Sequence, residues 1–338
     1  MFKAFKFRRS LLKAKDGFVP WKQPYEGVTC AEDIFFCFRL LLGRHPAPEE
    51  WPGHSTRVGE DLAAVVASFL NSSEFNRRGL LKYRYPKEVV LVDRENFKIF
   101  VYKDDPAVGK AIYNGDFEPE VQAIFRRFLK PSMSVLDVGA NVGPHTLHAA
   151  SIVGANGYVL AVEPNLKNVR LLEASRRLNG FDWVNVVQVA AGRNVGILVL
   201  NATDSNGTTS EVPEALGNLM HSETVASVPL DILIPPERKI DFIKLDIEGA
   251  EYNALVGLQK TIHRCRPIIV CEYSPGLTLD ISGVEGVEYL RWFIERDYQL
   301  GVIEKDGTTS EAGVDCEFVM AKHRNRGTDH IDIIAQPK

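Results

Sequence analysis

The stretch that decides the fold of this chain is Met133-Ser134-Val135-Leu136-Asp137-Val138-Gly139-Ala140-Asn141-Val142-Gly143. A second run follows it, Tyr158-Val159-Leu160-Ala161-Val162-Glu163-Pro164-Asn165. In each, an apolar segment breaks into a turn, which is typical of a buried parallel strand that enters a loop and then a helix. Two such strands side by side bring a glycine turn and the carboxylate of Glu163 to one edge of a sheet. At that edge an open α/β sheet binds nucleotide-like ligands, and the acid holds ribose hydroxyls.

The glycine spacing differs from the dinucleotide-binding fingerprint. Gly139-x-Asn141-x-Gly143 lacks the first glycine pair and the third glycine position of that fingerprint. With Asp137 directly before the turn, the stretch resembles the first motif of the class I S-adenosylmethionine (SAM) methyltransferases. A nicotinamide-dependent oxidoreductase would share the turn and Glu163. It would require the missing glycines, however, and would leave an acidic cluster further along the chain unexplained.

Length and composition describe an ordinary globular protein. The 338 residues suffice for one large domain or two smaller ones, and the net charge of −4 gives no reason to expect a nucleic-acid partner. No run approaches the roughly 18 apolar residues of a membrane span, so no transmembrane segment is expected. The cysteines form no CxxC pair and no zinc spacing, which favours reduced thiols and a cytoplasmic location. They are Cys30, Cys37, Cys265, Cys271 and Cys316.

Changes of pattern divide the chain into four segments. Residues 1–27 are basic and lack the apolar core of a signal peptide. Residues 28–86 form a small helical module, and residues 87–322 form an α/β domain. The remaining residues, 323–338, are predicted to be a loose, polar tail.

The helical module carries a resemblance of its own. Its apolar residues recur at helical spacing, as in 34–42 and 62–70, with Gly43 as a stop. The phrases at 38–46 and 69–75 resemble a small module that accompanies bacterial glycosyltransferases and other enzymes of surface-polysaccharide synthesis. This copy has Ala47 where that module has Asp. The resemblance implies a contact with other polysaccharide-synthesis enzymes. The alternative is a generic helical cap that buries apolar surface against the main domain.

Alternating strand and helix patterns predict the architecture of the main domain. They favour a doubly wound, mostly parallel seven-stranded sheet of the class I methyltransferase, Rossmann-like type. An antiparallel pair, 298–303 and 316–321, is expected to end it. The other predicted strands of the domain lie near 134–138, 158–163, 184–190, 197–200, 240–246 and 267–272.

Ordered motifs across residues 88–322 narrow the resemblance to one family. The chain resembles the FkbM family of SAM-dependent O-methyltransferases, which act on hydroxyls of sugars and polyketides. It departs from the family at Phe117-Glu118, where Tyr-Glu is more frequent. The motifs lie at 112–120, 134–143, 162–165, 189–192, 229–231, 240–251 and 266–272.

The predicted SAM site follows from these motifs. The glycine turn would let backbone amides approach the ligand closely. Asp137 would accept hydrogen bonds from the methionyl ammonium, and Glu163 would take two ribose hydroxyls. The alternative for Glu163 is stabilisation of the following helix through its dipole. The predicted cofactor-binding residues are Glu118, Asp137, Gly139, Asn141, Gly143, Glu163, Pro164, Asn165 and Ala190.

An acidic cluster supplies the candidate catalytic residues. Asp246, Glu248 and Glu251 fall where a strand ends and a helix begins, and Glu272 ends the next strand. Acids in a helix's first turn stabilise it through its dipole, but three within six residues exceed that need. A sugar hydroxyl is a very weak acid, so its methylation requires a base or a cation that lowers its pKa. Asp246 and Glu248 suit either role, as base or as Mg²⁺ ligands.

The resemblance implies a function. It predicts methyl transfer from SAM to a hydroxyl of a saccharide or glycoconjugate in bacterial surface-polysaccharide synthesis. The alternatives are a polyketide or other small-molecule hydroxyl as acceptor, or a catalytically silent SAM-binding scaffold. The histidines show no ligand spacing, and those at 145, 148, 221 and 263 are expected mostly on helix surfaces.

Overall fold

The computed structural model describes residues 27–77, 88–202, 205–210 and 223–338. The predicted basic segment, 1–27, therefore lies outside the described residues except for its last position. The chain divides into two compact units, Met1–Pro86 and Lys87–Lys338. Within the described residues, every helix is too short or too polar to cross a membrane.

The first unit is helical, as the periodicity predicts. Its apolar positions converge on a small core in which Ile34, Phe38, Val65 and Phe69 are buried. A short helix, Trp51–Ser55, lies between the two segments of helical periodicity. The helices are α1 (Ala31–Phe36), which continues as a π-helix (Cys37–Leu42), α2 (Trp51–Ser55), α3 (Leu62–Leu70) and α4 (Ser73–Arg77).

Arg44 joins the elements of this unit. Its guanidinium donates hydrogen bonds to Glu74 at 2.6 Å and to Glu50 at 2.7 Å, and it lies 5.1 Å from the ring centre of Phe38. All five of its N–H donors therefore have acceptors, since the remaining contacts go to the same carboxylates and to the carbonyl of His45.

The described part of the second unit contains fourteen strands. They are β1 (Val89–Asp93), β2 (Lys98–Tyr102), β3 (Ser134–Val138), β4 (Tyr158–Val162), β5 (Val184–Val187), β6 (Ala190–Ala191), β7 (Gly196–Ala202), β8 (Gly207–Ser210), β9 (Glu223–Val228), β10 (Phe242–Leu245), β11 (Ile268–Tyr273), β12 (Tyr298–Ile303), β13 (Thr309–Gly313) and β14 (Ile331–Pro337). Its α-helices are α5 (Gly109–Asn114), α6 (Pro119–Phe128), α7 (Pro144–Val153), α8 (Leu166–Leu178), α9 (Glu251–Gly257), α10 (Gln259–Cys265), α11 (Pro275–Leu277), α12 (Gly286–Ile294) and α13 (Cys316–Arg326).

The main sheet has eight strands in the order β13-β12-β14-β11-β10-β3-β4-β5. The five from β11 to β5 are parallel, and β14, β12 and β13 are antiparallel to their neighbours. All five residues of β3 are buried because helices cover both faces of the sheet. The predicted class I, Rossmann-like α/β fold is confirmed, and β13 extends the expected seven strands at one edge.

The C-terminal part of the fold corrects two predictions. Residues 316–321 belong to helix α13 and not to a strand. Asp315 caps that helix, since its side chain accepts from the N–H of Phe318, and Gly327 ends it in a left-handed conformation. The predicted polar tail, 323–338, is also wrong, because β14 lies between β11 and β12 inside the sheet.

A second, four-stranded sheet has the order β6-β9-β7-β8. The predicted strand 197–200 belongs to this sheet as part of β7, so it is not a strand of the main, mostly parallel sheet. Ser205, just before β8, is tied to Asp105 by its N–H at 3.0 Å and its hydroxyl at 2.6 Å. This tie places Ser205 and Asn206 beside the carboxyl ends of the parallel strands.

Candidate active site

A cavity of about 260 Å³ lies at the carboxyl ends of the central parallel strands. This is the edge at which open α/β sheets bind their ligands. The structure brings ten of the predicted site residues to its wall: Glu118, Gly139, Asn141, Glu163, Pro164, Asn165, Ala190, Asp246, Glu248 and Glu272. Three others, Asp137, Gly143 and Glu251, are not part of the wall.

Glu163 is fixed in the cavity by three donors. Its Oε1 accepts from the N–H of Asn165 at 2.9 Å and from Asn168 Nδ2 at 3.2 Å, and its Oε2 accepts from the N–H of Asn141 at 2.9 Å. Burial raises the pKa of this carboxyl to about 7, although the three donors act in the opposite direction. A carboxylate offers about four acceptor positions, so Oε2 retains one for a ligand. That position is available to a ribose hydroxyl.

The glycines of the turn after β3 serve packing. Gly139 and Gly143 have φ values of +84° and +97°, a region that favours glycine. A Cβ at Gly139 would collide with the carbonyl oxygen of Asp246, and one at Gly143 would collide with Leu172. Close approach of β3 to the end of β10 therefore requires Gly139. The prediction that both glycines admit a ligand to the backbone is not supported at Gly143, which lies away from the cavity.

Asp137 lies beneath the cavity. It is fully buried, and its Oδ2 accepts a 2.5 Å hydrogen bond from Thr146. Its Oδ1 is buried and has no partner within the described ranges. Asp137 is also paired in register with Lys244 on β10, so the two side chains share one face of the sheet.

Lys244 is a site residue that the sequence analysis missed. It is 3% exposed, lines the cavity and places its Nζ 2.7 Å from Asp246 Oδ2. Burial alone would lower its pKa, but nearby carboxylates, Asp246 first and then Glu118, raise it well above its usual range. The available signal was a lysine inside the apolar strand 242–245, where a charge requires a partner.

At the acidic end of the cavity, burial and neighbouring charges raise the pKa values of several carboxyl groups. Burial and the charge of Asp246 raise the pKa of Glu248, whose Oε1 accepts from Asn206 Nδ2 at 2.9 Å. Burial, with Asp246 and further acids, raises the pKa of Glu272 to about 10, so this group is protonated at neutral pH and able to donate. Across the sheet, Asp332 on β14 is paired in register with Glu272, and burial raises its pKa to about 7.

Glu251 lies behind the cavity. It is fully buried, and its Oε1 accepts from the N–H of Ile247 at 2.7 Å. Burial raises its pKa to about 7. The structure therefore contradicts a direct catalytic contact for Glu251 and makes it a support for the turn that follows β10.

Asp246 and Glu248 do not form a magnesium site with other described residues. Among the described residues, no group of three or more His, Cys, Asp or Glu side chains is arranged to hold a metal ion. Asp246 is engaged by Lys244 and Glu248 by Asn206. The predicted alternative of Mg²⁺ bound by Asp246 and Glu248 is thus not supported.

Glu118 lines the same cavity. It has a positive φ of 39° and its Oε2 lies 2.6 Å from Nε2 of His145. Burial alone would raise the pKa of Glu118, but His145 and Lys244 lower it to about 2, so it is ionised.

His145 and His148 are 3% and 6% exposed, which contradicts the surface positions expected for these two histidines.

Two further wall residues were not anticipated. Asn206 joins both halves of the site, since its Nδ2 donates to Glu248 and its Oδ1 accepts from Asn141 Nδ2 at 3.0 Å. His330, from the segment expected to be a loose tail, also lines the cavity. Neither has a local sequence signal, because each arrives through a long-range connection.

Comparison with known protein families identifies a methyltransferase domain in this chain. Residues 137–300 match the family described as "Methyltransferase FkbM domain". No curated protein matches the sequence.

Solved structures similar to the chain include three methyltransferases. The crystal structure of methyltransferase FkbM from Methylobacillus flagellatus KT is 15% identical with a TM-score of 0.39, and the match covers 88% of this chain and 58% of that one. A SAM-dependent methyltransferase from Aquifex aeolicus is 15% identical with a TM-score of 0.37, covering 68% and 98%. The O-methyltransferase from Bacillus cereus in complex with SAH is 13% identical with a TM-score of 0.37, covering 66% and 83%. This chain thus spans 58% of the length of the Methylobacillus structure.

Proposed function

We propose that this SAM-dependent methyltransferase, whose residues 137–300 match the FkbM domain, transfers a methyl group to a hydroxyl of a saccharide or glycoconjugate. The observation that supports this most is one cavity with two chemically different ends. Glu163 marks one end, and Asp246, Glu248 and Glu272 mark the other. Several hydrogen-bonding groups at the second end suit a molecule with several hydroxyls.

The first end fits SAM. Glu163 retains one acceptor position for a ribose hydroxyl, and Asp137 has a buried oxygen without a partner in the described chain, beneath the same turn. Apolar residues flank Glu163 along the wall, among them Pro164 and Ala190, and would enclose the adenine. When bound, SAM supplies a methyl group on a positively charged sulfur that is ready for displacement.

The second end would hold the acceptor. Asp246 and Glu248 would accept hydrogen bonds from acceptor hydroxyls, and Lys244 holds Asp246 in place through its 2.7 Å contact. Glu272, protonated at neutral pH, would donate to an acceptor oxygen. One of these two carboxylates, or a base beside them, takes the proton of the reacting hydroxyl.

The helical unit supports the biological part of the proposal. Its resemblance at 38–46 and 69–75 to a module that accompanies polysaccharide-synthesis enzymes suggests a contact with such enzymes. We therefore place the reaction in bacterial surface-polysaccharide synthesis.

Two measurements test the proposal. Transfer of isotopically labelled methyl groups from SAM to a panel of saccharides should label a hydroxyl oxygen. Mass spectrometry of surface polysaccharide from a deletion strain should show the loss of an O-methyl group. Labelling only of polyketide or other small-molecule hydroxyls would contradict the saccharide assignment, and no transfer to any acceptor would indicate a silent SAM-binding scaffold.

A further inference from the structure

The loop between helix α13 and strand β14 carries a histidine into the cavity. Because β14 is antiparallel to β11, its first residue lies at the edge where the parallel strands end. His330 directly precedes β14 and lines the cavity together with Asp246 and Glu248. The antiparallel insertion of β14 thus places an imidazole at the acceptor end of the site.

This loop is held in place. The carbonyl oxygen of Asp329 lies 3.1 Å from both Ser274 Oγ, which donates to it, and His323 Nε2. The Thr328 hydroxyl donates to the carbonyl oxygen of His330 at 2.6 Å. Ser274 is 2% exposed, so the loop is anchored to the interior of the unit. The position of His330 is therefore set before any ligand binds.

A carboxylate orients the imidazole. Nδ1 of His330 lies 2.9 Å from Oδ1 of Asp329. When the Asp329 oxygen accepts in this contact, Nδ1 carries the hydrogen and a neutral ring has its lone pair on Nε2. Nε2 has no hydrogen-bond partner in the part of the chain that the structure describes. The side chain is 47% exposed, so a proton taken from the cavity can pass to solvent.

We propose that His330, oriented by Asp329, is the general base that deprotonates the acceptor hydroxyl. The inference rests on the proposed function, since it requires a hydroxyl acceptor. The O–H bond breaks and its proton moves to Nε2 of His330. The oxygen electron pair forms the bond to the methyl carbon, and the carbon–sulfur bond breaks with its electrons going to sulfur. Asp246 and Glu248 then hold neighbouring hydroxyls of the acceptor.

His330→Ala tests the inference on the full-length protein with the acceptor that the wild type methylates. The expected result is a fall in kcat of roughly 10²- to 10⁴-fold, as for loss of a positioned base, with unchanged affinity for S-adenosylhomocysteine. Free imidazole added to the variant should restore at least about a tenth of the lost rate by replacing the missing base. Asp329→Asn, which removes the orienting charge, should lower kcat to a smaller extent.

His263→Ala is the matched control, because His263 is an exposed histidine on helix α10 that neither lines the cavity nor contacts the loop of His330. It should retain most of the wild-type kcat and show no response to imidazole. The inference is overturned if His330→Ala keeps kcat within about threefold of wild type, or if both alanine variants lose activity equally and imidazole restores neither. Failure of the wild type to methylate any hydroxyl would instead refute the proposed function. Loss of kcat only in Glu248→Gln would leave that function intact and make Glu248 the base.

Discussion

The affinity for SAM should rise with pH through neutrality because of Glu163. Burial raises the pKa of this carboxyl to about 7 in the free protein, so it is protonated in acid and ionised in base. A ribose hydroxyl donates to the ionised form, and binding therefore favours loss of the proton. The direction follows from linkage: a ligand that prefers the ionised form binds weakly below the pKa and reaches full affinity above it.

The size of this pH effect on the affinity for SAM follows from the pKa of Glu163. With a pKa of about 7, the ionised fraction is roughly one tenth at pH 6 and nine tenths at pH 8, which predicts an affinity change of roughly tenfold. Glu163→Gln keeps the shape of the side chain but loses the charge. Because one charged hydrogen bond contributes about 1.5–3 kcal/mol, the variant should bind roughly 10- to 150-fold more weakly at pH 8.

Calorimetry with S-adenosylhomocysteine at pH 6, 7 and 8 measures both effects. Comparison with Glu163→Gln removes the contribution of the ligand's own titrating groups, which is common to both proteins. Glu173→Gln, on helix α8 but outside the cavity, should behave as wild type. Equal affinities of wild type and Glu163→Gln across this pH range would refute the role of Glu163.

Three further outcomes are expected. Asp246→Asn and Glu248→Gln should each lower kcat/KM for the acceptor roughly 10- to 100-fold through loss of a charged hydrogen bond, without weakening S-adenosylhomocysteine and with no sensitivity to EDTA. Normal turnover of both would make the cluster structural. Lys244→Met should lower the free energy of unfolding in urea by about 3–5 kcal/mol, since it leaves Asp246 without its cation, and an unchanged midpoint would contradict this. Gly139→Ala should destabilise the protein far more than Gly180→Ala, which has a similar φ of +67° but open space around it. Equal melting temperatures would contradict the packing argument.

Local sequence patterns predicted the elements whose structure is set locally. The runs at 134–138 and 158–162 each become a strand because burial on both faces of the sheet favours mostly apolar residues. Glu163 and Asp246, which follow β4 and β10, both line the cavity because parallel strands end at one edge of the sheet. These steps depend only on neighbours in the sequence.

The remaining features depend on distant partners. Residues 331–335 were predicted to be part of a polar tail, because nothing near them in the sequence shows that they pair with β11 and β12. His330 was missed for that reason. Asn206 reaches Glu248 only because the second sheet places it there. Cys316, Phe318 and Met320 alternate as in a strand, yet the cap at Asp315 and the left-handed Gly327 enclose a helix.

Because β14 lies inside the main sheet, the sheet can be completed only at the end of protein synthesis. The ribosome produces residues 331–337 after every other described strand, yet the sheet needs them in its interior. Until they emerge, β11 and β12 both present open edges with unpaired backbone groups, which are sites for mispairing between chains. A polypeptide released early, after residue 330, would carry its complete set of cavity side chains but would keep those two edges exposed, and we expect it to aggregate.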